Sequence, residues 1–269
     1  MLYVIDQNYF RSAELQELIQ NEPQSKIVIP DVALVEMCKS EQWESTMTRS
    51  LKGLSAFRGR VFHAMWVGDG LNAELTSGKS IEQNLLPREY RDFLRETILN
   101  VEHGSGRALE NLRNKMVSAQ SKISDEELNH ERNQEGLKRR IGIVENALAG
   151  ERLKDLRAGR ISPADKLSYI RTIAFDLCLT FLINHGYSKN KATIFLKKQP
   201  LILRFYYISV RHAVDWAASG GIDSLPAHKA TNDLLDQEYV LIASFFDGLL
   251  TREPRVQDAD ADLRKLLRD

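Results

Sequence analysis

The chain has 269 residues, of which 43% are hydrophobic and 28% are charged, and its 37 basic side chains balance its 37 acidic ones. A chain of this length and apolar content buries a substantial core, as one large domain or as a core with an insertion. Zero net charge excludes a global attraction to nucleic acid or to an anionic membrane, so either partner would need a local patch.

Three further features concern the cellular setting. The two cysteines, Cys38 and Cys178, lie in apolar helical patterns, which disfavours a disulfide framework or a thiolate metal site and predicts a reducing, cytoplasmic environment. The N-terminus lacks a basic region and a small-residue cleavage site, so no signal peptide is expected. The longest apolar stretch, Ile173 to Ile183, is interrupted by Asp176 and is too short to cross a bilayer. We therefore predict a soluble protein with no membrane partner.

The first fifty residues alternate between strand and helix patterns. Residues 2–5 (LYVI) and 27–29 (IVI) are short apolar runs without alternation, which predicts strands covered on both faces, as in a parallel sheet. Residues 11–20 predict a helix with Ser12 as its N-cap, and residues 31–50 predict a second helix. The order strand, helix, strand, helix predicts a layered fold of the βαβ type.

The remainder of the chain is mostly helical in pattern. Residues 60–67 predict a third strand, and residues from about 80 to 218 predict helices, one of them starting at Ser162-Pro163. Residues 229–246 predict a further helix, followed by a short strand that ends at Thr251 and a charged C-terminal helix.

These elements define the expected fold class, an α/β protein. We expect a three-layer α/β/α core with a short central parallel sheet, formed by residues 1–75 and 222–269. Residues 76–221 are expected to form a large, all-helical insertion packed on that core.

Two carboxylates occupy unusual places in the first fifty residues. Asp6 follows the first apolar strand directly, at the edge of an α/β sheet where ligands and catalytic groups gather, although it could equally cap the next helix. Glu36 lies within VALVEMC, so it either belongs to a solvent stripe or is held inward.

The C-terminal region carries further acids. Asp233 and Asp236 are three residues apart and so share one face of a helix that continues as apolar. The last strand leads into Thr251 and Glu253. Carboxylates that converge at one sheet edge require a divalent cation, and oxygen ligands without clustered His or Cys favour Mg²⁺ or Mn²⁺.

Three segments resemble the motifs of PIN-domain metal-dependent nucleases. VIDQN (4–8) is similar to the opening strand of that family, IVIPDVALVEM (27–37) to its second motif, and NDLLDQEYVLIASFFDGLLTRE (232–253) to its closing motif. The resemblance covers residues 1–50 and 225–269. It departs from the family at Glu253, where the Thr-x-Asp pattern has aspartate, and in the size of the helical insertion.

The resemblance implies a PIN-like endoribonuclease with a defined set of site residues. Asp6, Glu36 and Asp236 would be metal ligands with Asp233 as a near neighbour, and Asn8 and Thr251 would be polar supports. Asp233 and Glu253, the latter at the position of the family's fourth acid, complete the predicted catalytic acids. Phosphate must be held by local cations, for which Lys229 and His228, near the acid-led helix, are candidates apart from the resemblance. Lys189, Lys191, Lys197, Lys198, Arg139 and Arg140 are other candidate phosphate contacts. RNA is the expected partner in preference to DNA, in a toxin or RNA-processing role. An inhibitory protein partner or a homo-oligomer stays open.

Two alternatives also stay open. One is a non-catalytic PIN-like scaffold that binds protein or RNA through the helical insertion, and the other is a DNA nuclease. Carboxylate–metal chemistry does not itself recognise the 2′-hydroxyl, so the site alone does not separate RNA from DNA.

Overall fold

The computed structural model describes residues 1–38, 41–124, 130–220 and 226–268, without the side chains of residues 83, 118–124, 130, 227 and 228. The chain is an α/β protein with a four-stranded, all-parallel sheet in the order β3-β2-β1-β4. The strands are β1 (Leu2–Ile5), β2 (Lys26–Pro30), β3 (Val61–Ala64) and β4 (Gly248–Leu250). This architecture agrees with the predicted α/β class and parallel sheet.

The apolar strand runs form the centre of the sheet. In β1 and β2, Val4, Ile5, Val28 and Ile29 are fully buried, which is typical of parallel strands covered on both faces. At Gly248, the first residue of β4, a Cβ atom would lie 3.1 Å from the Tyr3 ring, so the ring would have to shift by a few tenths of an ångström to admit a side chain.

The strand order contains a topological switch beside β1. The chain passes from β1 to β2 and then to β3 in one direction, whereas β4 pairs with the opposite side of β1. In open parallel sheets a crevice forms outside the carboxyl ends of the strands at such a switch. The residues that follow β1 and β4 therefore occupy the place where a ligand site is expected.

The chain divides into two compact units, and each draws on several segments. The first contains residues 1–70, 82–125 and 238–257, and the second contains residues 71–81, 126–237 and 258–269. The sequence-based boundaries of 1–75 with 222–269 for the core and 76–221 for the insertion divide the chain differently. Residues 82–125, predicted as part of the insertion, belong to the same unit as the sheet.

Five helices lie wholly in the first unit, together with the sheet. They are α1 (Ala13–Asn21), α2 (Asp31–Cys38), α3 (Trp43–Lys52), α5 (Arg88–Glu102) and α6 (Gly106–Ser124). The predicted cap of α1 is confirmed, since the Ser12 hydroxyl accepts a hydrogen bond from the Leu15 N–H at 3.0 Å.

The second unit is helical. Its own helices are α7 (His130–Ala147), α8 (Glu151–Arg157), α9 (Pro163–Asn184), α10 (Lys189–Leu196) and α11 (Leu201–Ala218). Three helices contribute residues to both units, namely α4 (Val67–Ser77), α12 (Ala227–Ala243) and α13 (Pro254–Arg268). The predicted start of α9 is confirmed, with Ser162 as N-cap and Pro163 in the first turn.

Two predicted elements were wrong in their extent. Residues 31–50 do not form one helix, because α2 ends at Cys38 and α3 begins at Trp43. The strand predicted over 60–67 is shorter, because Met65 turns out of the ladder and donates its N–H to the Leu85 carbonyl, and Val67 already begins α4.

Helix α9 bears on the predicted absence of a membrane partner. By length and composition it could cross a membrane, a test that a core helix of a soluble protein also passes. Four of its side chains, Ile170, Ala174, Cys178 and Leu182, are buried within the protein. Solubility therefore stays a sequence-based prediction.

Candidate functional site at the carboxyl edge of the sheet

Asp6 is the buried carboxylate that immediately follows β1. It is 4% exposed, and its backbone N–H continues the ladder by donating to the Leu250 carbonyl of β4 at 3.0 Å. The Thr251 hydroxyl donates to Asp6 Oδ2 at 2.6 Å, and the Asn8 N–H approaches Oδ1 at 3.4 Å. Asp6 thus caps the short turn Gln7–Tyr9, as the alternative interpretation predicted, and also joins the ends of β1 and β4.

A second carboxylate, Glu253, lies on the same edge. The Asn8 side-chain amide donates to Glu253 Oε1 at 2.7 Å, and the Glu253 N–H donates to the Thr251 hydroxyl at 3.1 Å. Burial raises the pKa of Glu253, the Asp6 charge raises it further, and the Asn8 hydrogen bond opposes both. Hydrogen bonds therefore link Asp6 to Thr251 and Asn8 to Glu253, and each pair is separated by 245 positions in the sequence.

Glu36, the third predicted site carboxylate that lies in the first unit, contacts a tyrosine that the sequence analysis did not select. Tyr239 is 1% exposed, and its hydroxyl donates to Glu36 Oε2 at 2.5 Å. Burial raises the pKa of Tyr239 well above its usual value, and the charges of Glu36 and Asp6 raise it further. The sequence contains only a general indication of this contact, since a buried tyrosine hydroxyl usually finds a polar partner but the sequence does not say which one.

Local cations do not neutralise this edge. Among the residues that the structure describes, neither Asp6 nor Glu253 forms an ion pair with a lysine or arginine; their polar contacts are the neutral hydroxyl and amide groups of Thr251 and Asn8. Neutral donors fix the orientation of a carboxylate but leave its charge uncompensated. The edge is therefore a region of negative charge beside the topological switch.

The other two strands also end in polar groups, which the sequence analysis missed. His63 of β3 is 3% exposed, and its Nε2 atom lies 2.6 Å from Oδ1 of Asp31, the residue that follows β2. The Tyr90 ring lies 5.2 Å from the His63 ring, and His63 Nδ1 is buried with no hydrogen-bond partner in the part of the chain that the structure describes. No local pattern links residues 31 and 63, so only the pairing of β2 with β3 reveals this contact.

The remaining predicted site residues belong to the second unit. Asp233 is 8% exposed, with its Oδ2 atom 2.9 Å from His212 Nε2 and 3.2 Å from the Trp216 indole nitrogen, which donates to it. Asp236 is half-buried, and the Lys229 ammonium lies 5.0 Å from the centre of the Trp216 ring. The His228 side chain lies outside the described residues. The predicted roles of Asp233, Asp236, Lys229 and His228 stay predictions.

The donor chemistry of the edge fits the predicted Mg²⁺ or Mn²⁺. Asp6, Glu36 and Glu253 supply carboxylate oxygens, which hard divalent cations prefer, and none of these positions offers sulfur. Within the described parts of the chain, no group of three or more His, Cys, Asp or Glu side chains is close enough together to hold a metal ion. The first unit thus supplies suitable oxygen donors without a formed three-ligand cage.

Comparison with known proteins adds no assignment, since no family model, no curated protein and no solved structure matches the chain. The fold and the site define the class on their own terms. The chain is an α/β protein with an all-parallel sheet and buried, hydrogen-bonded carboxylates at its topological switch.

Proposed function

We propose that the chain is a divalent-metal-dependent nuclease that hydrolyses RNA phosphodiester bonds at the carboxyl edge of its sheet, as its resemblance to PIN-domain nucleases implies. The observation that carries this proposal is Asp6. This carboxylate is 4% exposed and has no described cationic partner. It lies at the carboxyl ends of β1 and β4, beside the topological switch. A buried carboxylate without a counter-charge is costly, and a bound cation would offset that cost.

The side chains of the first unit divide into metal-holding and orienting groups. Asp6, Glu36 and Glu253 would hold Mg²⁺ or Mn²⁺. The Thr251 hydroxyl fixes the rotation of Asp6 through Oδ2, and the Asn8 amide fixes Glu253 through Oε1. When bound, such a metal lowers the pKa of a water and neutralises charge on a phosphate.

The coupling of Glu253 to Asp6 supports this assignment. Burial raises the pKa of Glu253, and the Asp6 charge raises it further. A cation shared by the two groups would reverse this effect and favour both ionised forms. The raised pKa therefore marks a place where a positive charge would be bound favourably.

A specific contact favours a second candidate, the non-catalytic scaffold. The Tyr239 hydroxyl donates to Glu36 at 2.5 Å and so satisfies part of a carboxylate that a nuclease would use for metal. On this alternative, the hydrogen bonds around Asp6 and Glu36 hold the sheet edge together, and the helical unit binds protein or RNA.

A cleavage assay separates these candidates. Single-stranded RNA and single-stranded DNA are incubated with the protein and Mn²⁺, with chelator as the blank, for the wild type and for Asp6→Asn. Asp258→Asn is the matched control, because Asp258 is exposed and makes no described side-chain contact. Changes beside a metal ligand already cost 10–100-fold, so we expect Asp6→Asn to lower RNA cleavage by more than about 100-fold.

The pattern of results identifies the function. Cleavage of RNA alone supports the endoribonuclease, and cleavage of DNA alone supports the DNA nuclease. Cleavage by wild type and Asp6→Asn at the same rate would show that this edge is not the active site. RNA binding without cleavage would support the scaffold.

Metal binding gives an independent measurement. A ligand at 100 times its dissociation constant raises the free energy of unfolding by about 2.7 kcal/mol. We expect saturating Mn²⁺ to stabilise the wild type and Asp258→Asn by the same amount and to leave Asp6→Asn unchanged.

A further inference from the structure

The second unit contains a polar pocket that the proposed nuclease site does not include. It lies among α7, α11 and α12 and is open to solvent. Its lining residues are Asn133, Leu137, Arg140, His212, Ala230, Leu234 and Gln237. None of them is acidic, and Arg140 brings a positive charge to the wall. The lining therefore suits an anionic group of a ligand.

We propose that this pocket binds a phosphate group through Arg140 and Gln237. Arg140 is half-buried, and its Nε–H donates to the Gly136 carbonyl at 3.1 Å, one turn earlier in α7. Among the residues that the structure describes, no carboxylate pairs with its guanidinium. An unpaired, half-buried cation is a recognition group for oxyanions.

Three other arginines of the same unit each have an acidic partner. Arg157 lies 2.7 Å from Glu145, Arg211 lies 2.9 Å from Asp262, and Arg264 lies 2.8 Å from Asp260. Asp233, which precedes Gln237 by one turn of α12, is not available either, because it is already engaged by His212, which lines the pocket. The positive charge of Arg140 is therefore left for a ligand.

Gln237 supplies the second, independent observation. It is 8% exposed, and its buried Oε1 atom has no hydrogen-bond partner among the described residues. A buried acceptor without a donor is costly, which predicts a ligand that brings a hydrogen to it.

Arg140 and Gln237 together select the ligand chemistry. Arg140 requires acceptor oxygens, whereas Gln237 Oε1 requires a donor. A phosphate carrying one proton satisfies both, because it presents charged oxygens and a P–O–H group. Sulfate is fully ionised at neutral pH and offers oxygens only. The pocket should therefore distinguish phosphate from sulfate, which have nearly the same size and shape.

Calorimetric titration of the full chain tests the proposal. Inorganic phosphate, sulfate and a nucleoside 5′-monophosphate are the three probes, measured without added metal at pH 6.5. We expect saturable binding of phosphate and at least about tenfold weaker binding of sulfate, since a charged hydrogen bond contributes about that factor. Tighter binding of the monophosphate than of inorganic phosphate would identify a nucleotide as the source, and equal binding would identify the free ion.

Two arginines of the second unit provide a matched pair of variants. Arg140→Gln should weaken phosphate binding by about tenfold or more. Arg152→Gln makes the same charge change at an exposed side chain of α8 outside the pocket lining, and it should leave the affinity within about twofold. Equal losses in both variants, or no saturable binding of either phosphate probe to the wild type, would overturn the proposal.

A third variant keeps the test informative if Arg140→Gln folds poorly. Gln237→Glu places a carboxylate in the pocket, where it would supply the counter-charge that Arg140 lacks. We expect this variant to melt at a higher temperature and to lose phosphate binding. Retained binding would contradict the proposal. The pocket belongs to the second unit, so the outcome does not depend on the nuclease assignment.

Discussion

At the residue scale, the ionisation of Glu253 depends on the charge of Asp6. Their strands pair directly, and Asn8 and Thr251 connect them through hydrogen bonds. The pKa of Glu253 is raised by burial first and by the Asp6 charge second, so the two causes can be separated by removing the charge alone.

The first prediction follows from that separation. Asp6→Asn keeps the shape of the side chain and removes its charge, so the pKa of Glu253 should fall toward its ordinary value. Carboxyl ¹³C NMR titration measures the change. The pKa of Glu14, lowered by its own backbone hydrogen bond and by Arg252, should stay where it is. An unchanged Glu253 titration would show that the two acids do not interact.

The raised pKa of Glu253 also determines how the free energy of unfolding changes with pH. Because the folded pKa of Glu253 is raised, its contribution to folding is fully present below the unfolded pKa. It is lost as the pH rises through the folded value. Asp6→Asn should therefore flatten the fall in the free energy of unfolding over that pH window.

The second prediction concerns the buried pair between Asp31 and His63. Asp31→Asn replaces a charged acceptor at 2.6 Å from His63 Nε2, whose ring already has one buried nitrogen without a partner. Weakening that contact should lower the free energy of unfolding by about 1–3 kcal/mol. Urea denaturation measures the loss. Asp69→Asn, at an exposed position of α4, should change it by less than about 0.5 kcal/mol.

At the element scale, one buried carboxylate joins helices of the second unit. Glu74 of α4 is 0% exposed; its Oε1 accepts from the N–H groups of Ile81 at 3.0 Å and Leu201 at 2.9 Å, and its Oε2 accepts from Ile202 at 3.0 Å. Pro200, the N-cap of α11, has no side-chain capping bond of its own. Glu74 therefore caps α11 from a distance of more than 120 residues in the sequence.

The third prediction uses this cap. Glu74→Gln keeps one acceptor oxygen but turns the other into a donor, which then faces the Ile202 N–H. We expect the free energy of unfolding to fall by about 1–3 kcal/mol, because a buried N–H loses its acceptor. Glu131→Gln, at an exposed position of α7, should have no measurable effect. Equal stability of the two variants in urea denaturation would show that the cap contributes nothing.

The features of this fold that the sequence predicts, such as helix caps and buried strands, are those determined by residues close together in the chain. Ser12 and Ser162 cap helices through atoms three residues away, and both caps were predictable. The apolar runs of β1 and β2 likewise required burial on both faces. The contacts of Glu74, His63 and Tyr239 join distant segments, so no spacing rule could reveal them. The end of β3 depended on such a contact too, between Met65 and Leu85.

The candidate site divides along the same line. Local pattern alone selects Asp6 directly after a buried strand, Glu36 within VALVEMC and Glu253 after the last strand. The resemblance to PIN-domain nucleases added the expected metal role of Asp6 and Glu36. That Tyr239 would donate to Glu36 depends on two helices 203 residues apart. The pocket around Arg140 likewise requires three helices to be in place. Chemistry near a strand end was therefore predictable, whereas the partners of each group were not.

At the scale of the whole molecule, zero net charge determines how a nucleic acid could be held. Binding cannot arise from the overall field, so a local group of cations must supply it. Four exposed lysines lie in the short helix α10 or directly after it: Lys189, Lys191, Lys197 and Lys198. None of them pairs with a carboxylate in the parts of the chain that the structure describes. Their charge is available to a phosphate backbone.

The fourth prediction measures this contribution through its salt dependence. For single strands, each phosphate contact adds about 0.7 to the slope of log affinity against log salt. Replacing Lys197 and Lys198 by glutamine should therefore lower the slope for single-stranded RNA by about 1.4 and weaken binding at low salt. Fluorescence anisotropy over a salt series gives both quantities. The control replaces Lys154 and Lys265, which carry the same charge but already pair with Glu151 and Asp262. Since a neighbouring acid holds these two ammonium groups, their loss should leave the slope nearly unchanged. An equal fall in both double variants would show that RNA responds only to net charge, and the lysines of α10 would then have no specific role.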